Sequence, residues 1–340
     1  MVPSDPTPAR PRAVAVMIPQ FFGEHFDEPR LRRLGELVDL VGPVITDLDA
    51  PSAREVLADA EVIVSSWGVS ALTPERLAAM PRLRAVVHCA GTVRFFATPE
   101  LWDRGIVVTS AAAANAVPVV EYTVAMIVLA LKKALFLPPH HAQADDHAWG
   151  DISAYQRTVG IVGLSSIGRG VAEALPRLLP STTLVAYDPF ATPENTRGLG
   201  VELAELDEVC RRADVLSIHA PDLPSTSHMI GAPQLALMHD KATVLNTARG
   251  RLLDHDALVA ECASGRLDAI LDVTDPEPLP HGHPLLSLPN VVVTPHIAGS
   301  RGTELHRMTD MALGDLAAWL DGRPDDMTGR VHPGTLGTSA

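Results

Sequence analysis

Short apolar runs rich in Val or Ile recur through the first third of the chain, at residues 13–18, 61–65, 83–88 and 106–109. Between them lie mixed polar and apolar stretches with helix-start signals. One is Thr73-Pro74-Glu75, where proline suits the first helical turn. This alternation predicts a parallel sheet with helices on its faces. Residues 115–137 read as one long helix, apolar on most sides, followed by a looser stretch over 138–157. From Thr158 the alternation restarts, with strands expected at 159–162, 183–187, 215–219, 243–246, 269–273 and 291–294. Two βα series in succession suggest two doubly wound domains. A closing helix over 303–320 sets Leu305, Met308, Ala312, Leu316 and Trp319 at helical spacing. The pattern alone leaves open where that helix docks.

Composition narrows the class. With 340 residues, 46% hydrophobic and 20% charged, the chain is an ordinary globular protein long enough for two cores. A net charge of −14 disfavours a nucleic-acid surface, and the basic runs Arg30-Leu31-Arg32-Arg33 and Arg211-Arg212 read as solvated helix faces. Cys89, Cys210 and Cys262 lack metal-type spacing and fit reduced thiols, as in a cytoplasm. The pair His140-His141 has no partner motif, so no metal is expected. Residues 1–12, polar and proline-rich, read as a flexible tail without a signal-peptide core. The greasiest stretch, 116–131, carries Glu121 and runs into Lys132-Lys133. It reads as too short and interrupted to span a bilayer, hence as a packed interdomain or interface helix. No membrane partner is expected.

The most informative stretch is Gly160-Ile161-Val162-Gly163-Leu164-Ser165-Ser166-Ile167-Gly168, an apolar strand turning into a helix. A dinucleotide needs such a turn, whose free N–H groups and helix dipole face the pyrophosphate. Gly163 permits the turn and Gly168 lets helix and strand approach; Ser165 replaces the usual middle glycine. Its Cβ crowds the cofactor, or its hydroxyl donates to a phosphate oxygen. Asp188 ends the next strand, where a carboxylate accepts the ribose hydroxyls of NAD and repels the 2′-phosphate of NADP. The plainer reading of Asp188 is a turn before Pro189.

Three later segments resemble the signatures of the D-isomer-specific 2-hydroxyacid dehydrogenase family, in its order and spacing. They are Leu245-Asn246-Thr247-Ala248-Arg249-Gly250, Leu271-Asp272-Val273-Thr274-Asp275-Pro276-Glu277-Pro278 and Thr294-Pro295-His296-Ile297-Ala298-Gly299-Ser300. The resemblance extends upstream through Gly91, Arg104-Gly105-Ile106, Asn115, Val120-Glu121 and Trp149. Singly, each residue has a dull alternative: Arg249 a surface charge, Glu277 a solvated loop residue, His296 a turn cap. The chemistry of a 2-oxo acid nonetheless suits the set. Arg249 offers a planar fork for carboxylate and carbonyl oxygens. His296 offers an imidazole, a group suited to reversible proton transfer at neutral pH. The resemblance gives Glu277 the role of supporting that imidazole.

The same resemblance implies two doubly wound parallel-sheet domains, a Rossmann cofactor domain and a flavodoxin-like substrate domain, with the active site in a cleft between them. The substrate domain would be discontinuous, 13–115 plus 300–332; the NAD-binding domain would be 116–299, and 333–340 a flexible tail. Cofactor contacts fall to Gly163, Ser165, Ser166, Ile167, Asp188, His219, Ala220, Pro221, Thr226, Thr247, Ala248, Asp272 and Ala298. Substrate contacts fall to Gly91, Thr92 and Arg94; the last, beside two phenylalanines and unusual for the family, reads either as the partner of a second anionic group on the substrate or as a surface Arg paired with an acid. The apolar helix starting near Pro118 would support a homodimer. NAD-dependent oxidoreduction of a small anionic D-2-hydroxy acid is the leading reading. A non-enzymatic NAD-sensing scaffold of the same fold, and oxidation of an unusual acid such as phosphite, are the alternatives.

Overall fold

The computed structural model describes residues 10–137 and 150–335, so His140, His141 and Trp149 lie outside the described residues. The chain divides into two compact units, Met1–Asn115 with Arg301–Ala340, and Ala116–Ser300.

In the first unit, β1 (Arg12–Val16), β2 (Asp39–Leu40), β3 (Val62–Ser65), β4 (Ala85–His88) and β5 (Val107–Ser110) form a parallel sheet. Its order, β2-β1-β3-β4-β5, is that of flavodoxin-like folds. Successive strand side chains point to opposite faces, and both faces are covered, which is why these strands read as unbroken apolar runs. Val14, Val16, Ile63, Val86 and Val108 pack with Leu57, Leu77, Met80, Phe96 and Leu101 on one face. Ala13, Val62, Val64, Ala85 and Val87 pack with Leu34, Leu313 and Leu316 on the other. The closing helix, Leu305–Leu320, therefore docks on this second face, with the Arg84 guanidinium 5.0 Å from the Trp319 ring.

In the second unit the strands are β6 (Thr158–Val162), β7 (Thr183–Tyr187), β8 (Val201–Leu203), β9 (Val215–Ile218), β10 (Thr243–Asn246), β11 (Asp268–Leu271) and β12 (Val291–Val293). Their order, β12-β11-β10-β9-β6-β7-β8, is the Rossmann order extended by one strand. The order reverses at β6, between β7 and β9. Loops after these strands diverge there and leave a crevice at the carboxyl edge. The same alternation divides the core. Val162, Val185, Leu216, Ile218, Val244 and Leu271 face one way. Val159, Ile161, Ala186, Val215, Leu245 and Ile270 face the other, with Ile127, Ala130 and Leu131 of helix Ala112–Leu131 among them.

Three details differ from the sequence reading. The edge strands β2 and β8 were not expected, because two or three residues paired on one side leave no periodic signal. The long helix runs Ala112–Leu131, not 115–137, and takes Pro118 into its interior. It ends in a Schellman motif: Lys133, at φ 52°, donates its N–H to Ala130 O, and Ala134 N–H reaches Leu129 O. That position usually belongs to glycine, so nothing in the residue types announced the stop. This 20-residue helix is also long and apolar enough to cross a membrane by length and composition, contrary to the expectation of a stretch too short to do so. Its Ile127 and Ala130 are fully buried in the second core.

Candidate active site

The first part of the site forms where the β6 and β9 loops meet. Gly163 has φ 95°, and a Cβ there would lie 2.6 Å from Ala220 N. A Cβ on Gly168 would fall 2.0 Å from Gly163 O. Both glycines are needed for helix Ser166–Leu178 to start so close to the sheet. The first-turn N–H groups of that helix have no intrahelical acceptors and suit a pyrophosphate. The cradle therefore fits a dinucleotide. Ser165 caps the helix in extended conformation, and its hydroxyl donates to His219 O at 3.1 Å. That hydroxyl thus ties two loops together, a third use besides crowding or phosphate contact.

Asp188 is half-buried and already occupied. One carboxylate oxygen accepts from Leu164 N at 2.7 Å, the other from Phe190 N at 2.8 Å. It makes the expected turn and also clips the glycine loop. Each oxygen keeps a second lone pair for a ribose hydroxyl. Arg169, which the sequence reading missed, braces the same loop from the helix through Leu164 O (3.0 Å) and Asn195 O (2.7 Å). His219 is buried, and burial lowers its pKa to about 3, so the ring is neutral. Its Nε2 meets Ser217 Oγ at 2.8 Å, so the His219 ring is held inside the protein. Thr226 closes that loop by donating to Pro221 O and accepting from Leu223 N.

The second part lies on the same sheet edge, where β10, β11 and β12 are neighbours in register: Asn246 pairs with Leu271 and Leu271 with Val293. Arg249, Glu277 and His296 follow these strands in turn. Buried Asn246 folds the first turn, accepting from Ala248 N (3.0 Å) and donating to Arg249 O (2.9 Å). Thr247 packs inward against Thr123 Oγ1 at 3.0 Å, while Arg249 is exposed. A Cβ on Gly250 would lie 2.0 Å from the Thr274 carbonyl carbon, so the Arg249 turn abuts the backbone leading to Glu277. His296 Nδ1 and Glu277 Oε1 are 2.6 Å apart, and both side chains are half-exposed.

Asp272 is 1% exposed and works inside the protein, not at its surface. Oδ1 accepts from Thr294 Oγ1 (2.6 Å) and Ile297 N (2.8 Å), and Oδ2 from Ala298 N (2.8 Å). Asp272 and Ala298, expected as cofactor contacts, are thus joined to each other in the clamp around His296. His296 itself sits at φ 52°, a left-handed conformation uncommon outside glycine. Histidine tolerates this conformation better than most residues, but nothing in the sequence marked this position.

In the first unit, Gly91, Thr92 and Arg94 share one loop after β4. Ser110 Oγ donates to Gly91 O, and Arg94 N lies 3.4 Å from Thr92 Oγ1. Val93 and Phe96 are buried beneath it and Phe95 is 45% exposed. His88 packs 4.9 Å from the Phe96 ring, and burial pushes its pKa down to about 3. Among the described residues no group of three or more His, Cys, Asp or Glu is arranged to hold a metal ion.

A Rossmann sheet with a glycine cradle at its reversal point defines a dinucleotide-binding fold, and a His–carboxylate pair lies further along the same edge. Residues 126–298 match the family described as D-isomer specific 2-hydroxyacid dehydrogenase, NAD binding domain. The chain belongs to the D-isomer specific 2-hydroxyacid dehydrogenase family, and its second unit carries the NAD-binding domain. It is 32% identical over 264 residues to D-3-phosphoglycerate dehydrogenase of Methanocaldococcus jannaschii, covering 76% of this chain and 49% of that protein. The chain thus spans about half the length of the phosphoglycerate dehydrogenases it matches. It is 30% identical to glyoxylate reductase of Korarchaeum cryptofilum, covering 81% of this chain and 85% of that one. Among solved structures, D-lactate dehydrogenase from Aquifex aeolicus, complexed with NAD and lactic acid, matches with TM-score 0.69 at 26% identity. That match covers 94% of this chain and 98% of the other.

Proposed function

We propose that this chain is an NAD-dependent D-2-hydroxyacid dehydrogenase, moving a hydride reversibly between the cofactor and C2 of a small 2-oxo acid. The observation that carries the reading is the 2.6 Å His296–Glu277 pair on the sheet edge that also bears the Gly163 cradle. When bound, the nicotinamide supplies the hydride in reduction and accepts it in oxidation. Glu277 accepts a hydrogen bond from His296 Nδ1–H and so fixes the ring with Nε2 as the atom that exchanges a proton with the substrate oxygen. Arg249 holds the substrate carboxylate through its planar fork.

Backbone groups of Ser165, Ser166 and Ile167 hold the pyrophosphate, and Asp188 selects NAD over NADP at the ribose. On the first unit, the Gly91–Thr92 backbone takes up substrate carboxylate, and Arg94 reads a second anionic group. Exposed Val117 and Ala125, with part-exposed Val128, leave apolar positions around Glu121 on helix Ala112–Leu131, and these support a homodimer. Three free, buried thiols fit a reducing compartment such as the cytoplasm.

The test is His296→Gln, assayed by NADH absorbance against glyoxylate, pyruvate, phenylpyruvate and 2-oxoglutarate. Turnover should fall by about 10²–10⁴-fold, while NADH affinity, followed by its fluorescence, stays as in the parent protein. A variant with near-parental turnover removes His296 from the chemistry.

A further inference from the structure

The turn that carries His296 is held by a relay that begins on a distant helix. Thr294 Oγ1 spends its one proton on the Asp272 carboxylate, at 2.6 Å. Tyr122 Oη lies 2.8 Å from the same Thr294 oxygen, so the tyrosine must be the donor in that contact. Burial raises the Tyr122 pKa, which keeps the phenol protonated and able to donate at neutral pH. Asp272 in turn accepts Ile297 N and Ala298 N, while His296 N donates to Asp272 O and Thr294 O. The relay therefore grips the chain on both sides of His296, a residue whose left-handed backbone would relax if released. Hydrogen bonds in such a chain strengthen one another in a low-dielectric setting.

The next residue on the helix, Thr123, bonds Thr247 in the Arg249 turn. Adjacent hydroxyls of one helix thus touch both turns that carry the proposed chemistry. Sequence separation hid this: Tyr122 and Thr294 are 172 positions apart, Thr123 and Thr247 124.

We infer that Tyr122 and Thr123 are positioning residues, the first aligning His296 through Thr294 and Asp272, the second aligning Arg249 through Thr247. The inference rests on the reading of His296 and Arg249 given above. Neither residue touches substrate; each holds a turn whose side chain does. A displaced proton donor slows the chemical step. A displaced carboxylate-binding arginine weakens substrate in the ground state and transition state alike. The two residues therefore affect different kinetic constants.

The experiment uses the full chain with NADH and whichever acid of the panel above turns over fastest. Tyr122→Phe and Thr294→Val should each lower kcat by about ten-fold with KM for the acid nearly unchanged. Thr294→Ser, which keeps the hydroxyl, should restore kcat. Thr123→Val should instead raise KM by about ten-fold and lower kcat far less. NADH affinity should stay near the parental value in all four. Thr294→Val loses a hydrogen bond to a buried carboxylate and should melt lower than the parent, whereas Tyr122→Phe and Thr294→Ser should melt near it. A merely structural role would not produce the split between kcat and KM. If Thr294→Val does not fold, Tyr122→Phe, which deletes one oxygen from a half-buried ring, carries the test. If Tyr122→Phe keeps parental kcat, or Thr294→Ser is as slow as Thr294→Val, the relay has no positioning role. His296→Gln separates the two levels. If it is inactive while the relay variants are unaffected, only this inference falls; if it is active, the catalytic reading falls as well.

Discussion

Replacing Lys133 by Met should destabilise the second unit more than any surface change. Its ammonium sits at 6% side-chain exposure and donates to Asp268 Oδ2 (2.8 Å), Thr243 Oγ1 (3.3 Å) and the Lys241 carbonyl. Methionine keeps most of the volume but leaves Asp268, at 7% side-chain exposure, without its cation. Breaking a buried pair from one side costs about 3–5 kcal/mol, because the remaining charge stays desolvated. In a unit of 185 residues, Ala116–Ser300, each kcal/mol moves the melting point by about 2–4 °C, so a fall of about 6–20 °C is expected. Lys133→Met with Asp268→Leu removes both charges and should recover most of that loss.

The pH dependence has a definite sign. Burial raises the Asp268 pKa in the folded protein, with Lys133 opposing it. A raised carboxyl pKa favours folding at low pH and loses that contribution as pH rises through the folded pKa. Losing Lys133 raises it further, so the deficit of the single variant should shrink as pH is lowered from 8 toward 5. Melts by circular dichroism across that range check both points. NADH affinity well below the melt should not change, since Thr243 and Asp268 begin β10 and β11, opposite the edge that bears the site. A single variant melting within about 2 °C of the parent would refute the assigned cost, and a double variant as unstable as the single would show that lost packing, not lost charge, matters.

Asp188→Ala should erase the preference for NAD over NADP in kcat/KM; an unchanged ratio leaves Asp188 as a clip for Leu164 and Phe190 only. Arg94→Ala should raise KM for 2-oxoglutarate more than for pyruvate, and equal effects on both would reject a second-anion role. Burial lowers the pKa of His25 to about 4 and of His88 and His219 to about 3, so the folded state refuses protons that the unfolded chain takes up near pH 6.5. Their contribution to stability is present above pH 6.5 and lost as pH falls toward 4; His88→Gln should make that decline shallower in acid melts. Burial also pushes the Cys89, Cys210 and Cys262 thiols up to about 12, so a disulfide reagent at pH 8 should titrate them only after unfolding.

Much of the fold could be read in residue order because its rules are local. A strand buried on both faces must be an apolar run, and Val159–Val162 or Val215–Ile218 can be little else. Gly163 and Gly168 mark a turn that no other residue could make, since a Cβ at either would overlap the neighbouring backbone. Arg249, Glu277 and His296 were recognisable from their chemistry and from motifs at strand ends. The edge strands β2 and β8 and the left-handed stop at Lys133 were not, because weak pairing and an atypical capping residue leave no pattern.

Residue order limits which backbone shapes are possible and which side chains carry useful chemistry. How those side chains are employed depends on what the fold brings beside them. Ser165 turned its hydroxyl to His219 O, and Asp188 spent one lone pair on each of two amides. Asp272, expected among the cofactor contacts, also clamps the His296 turn. Such partnerships join residues far apart along the chain, and a hydrogen bond depends on distance in space, which spacing in sequence does not encode.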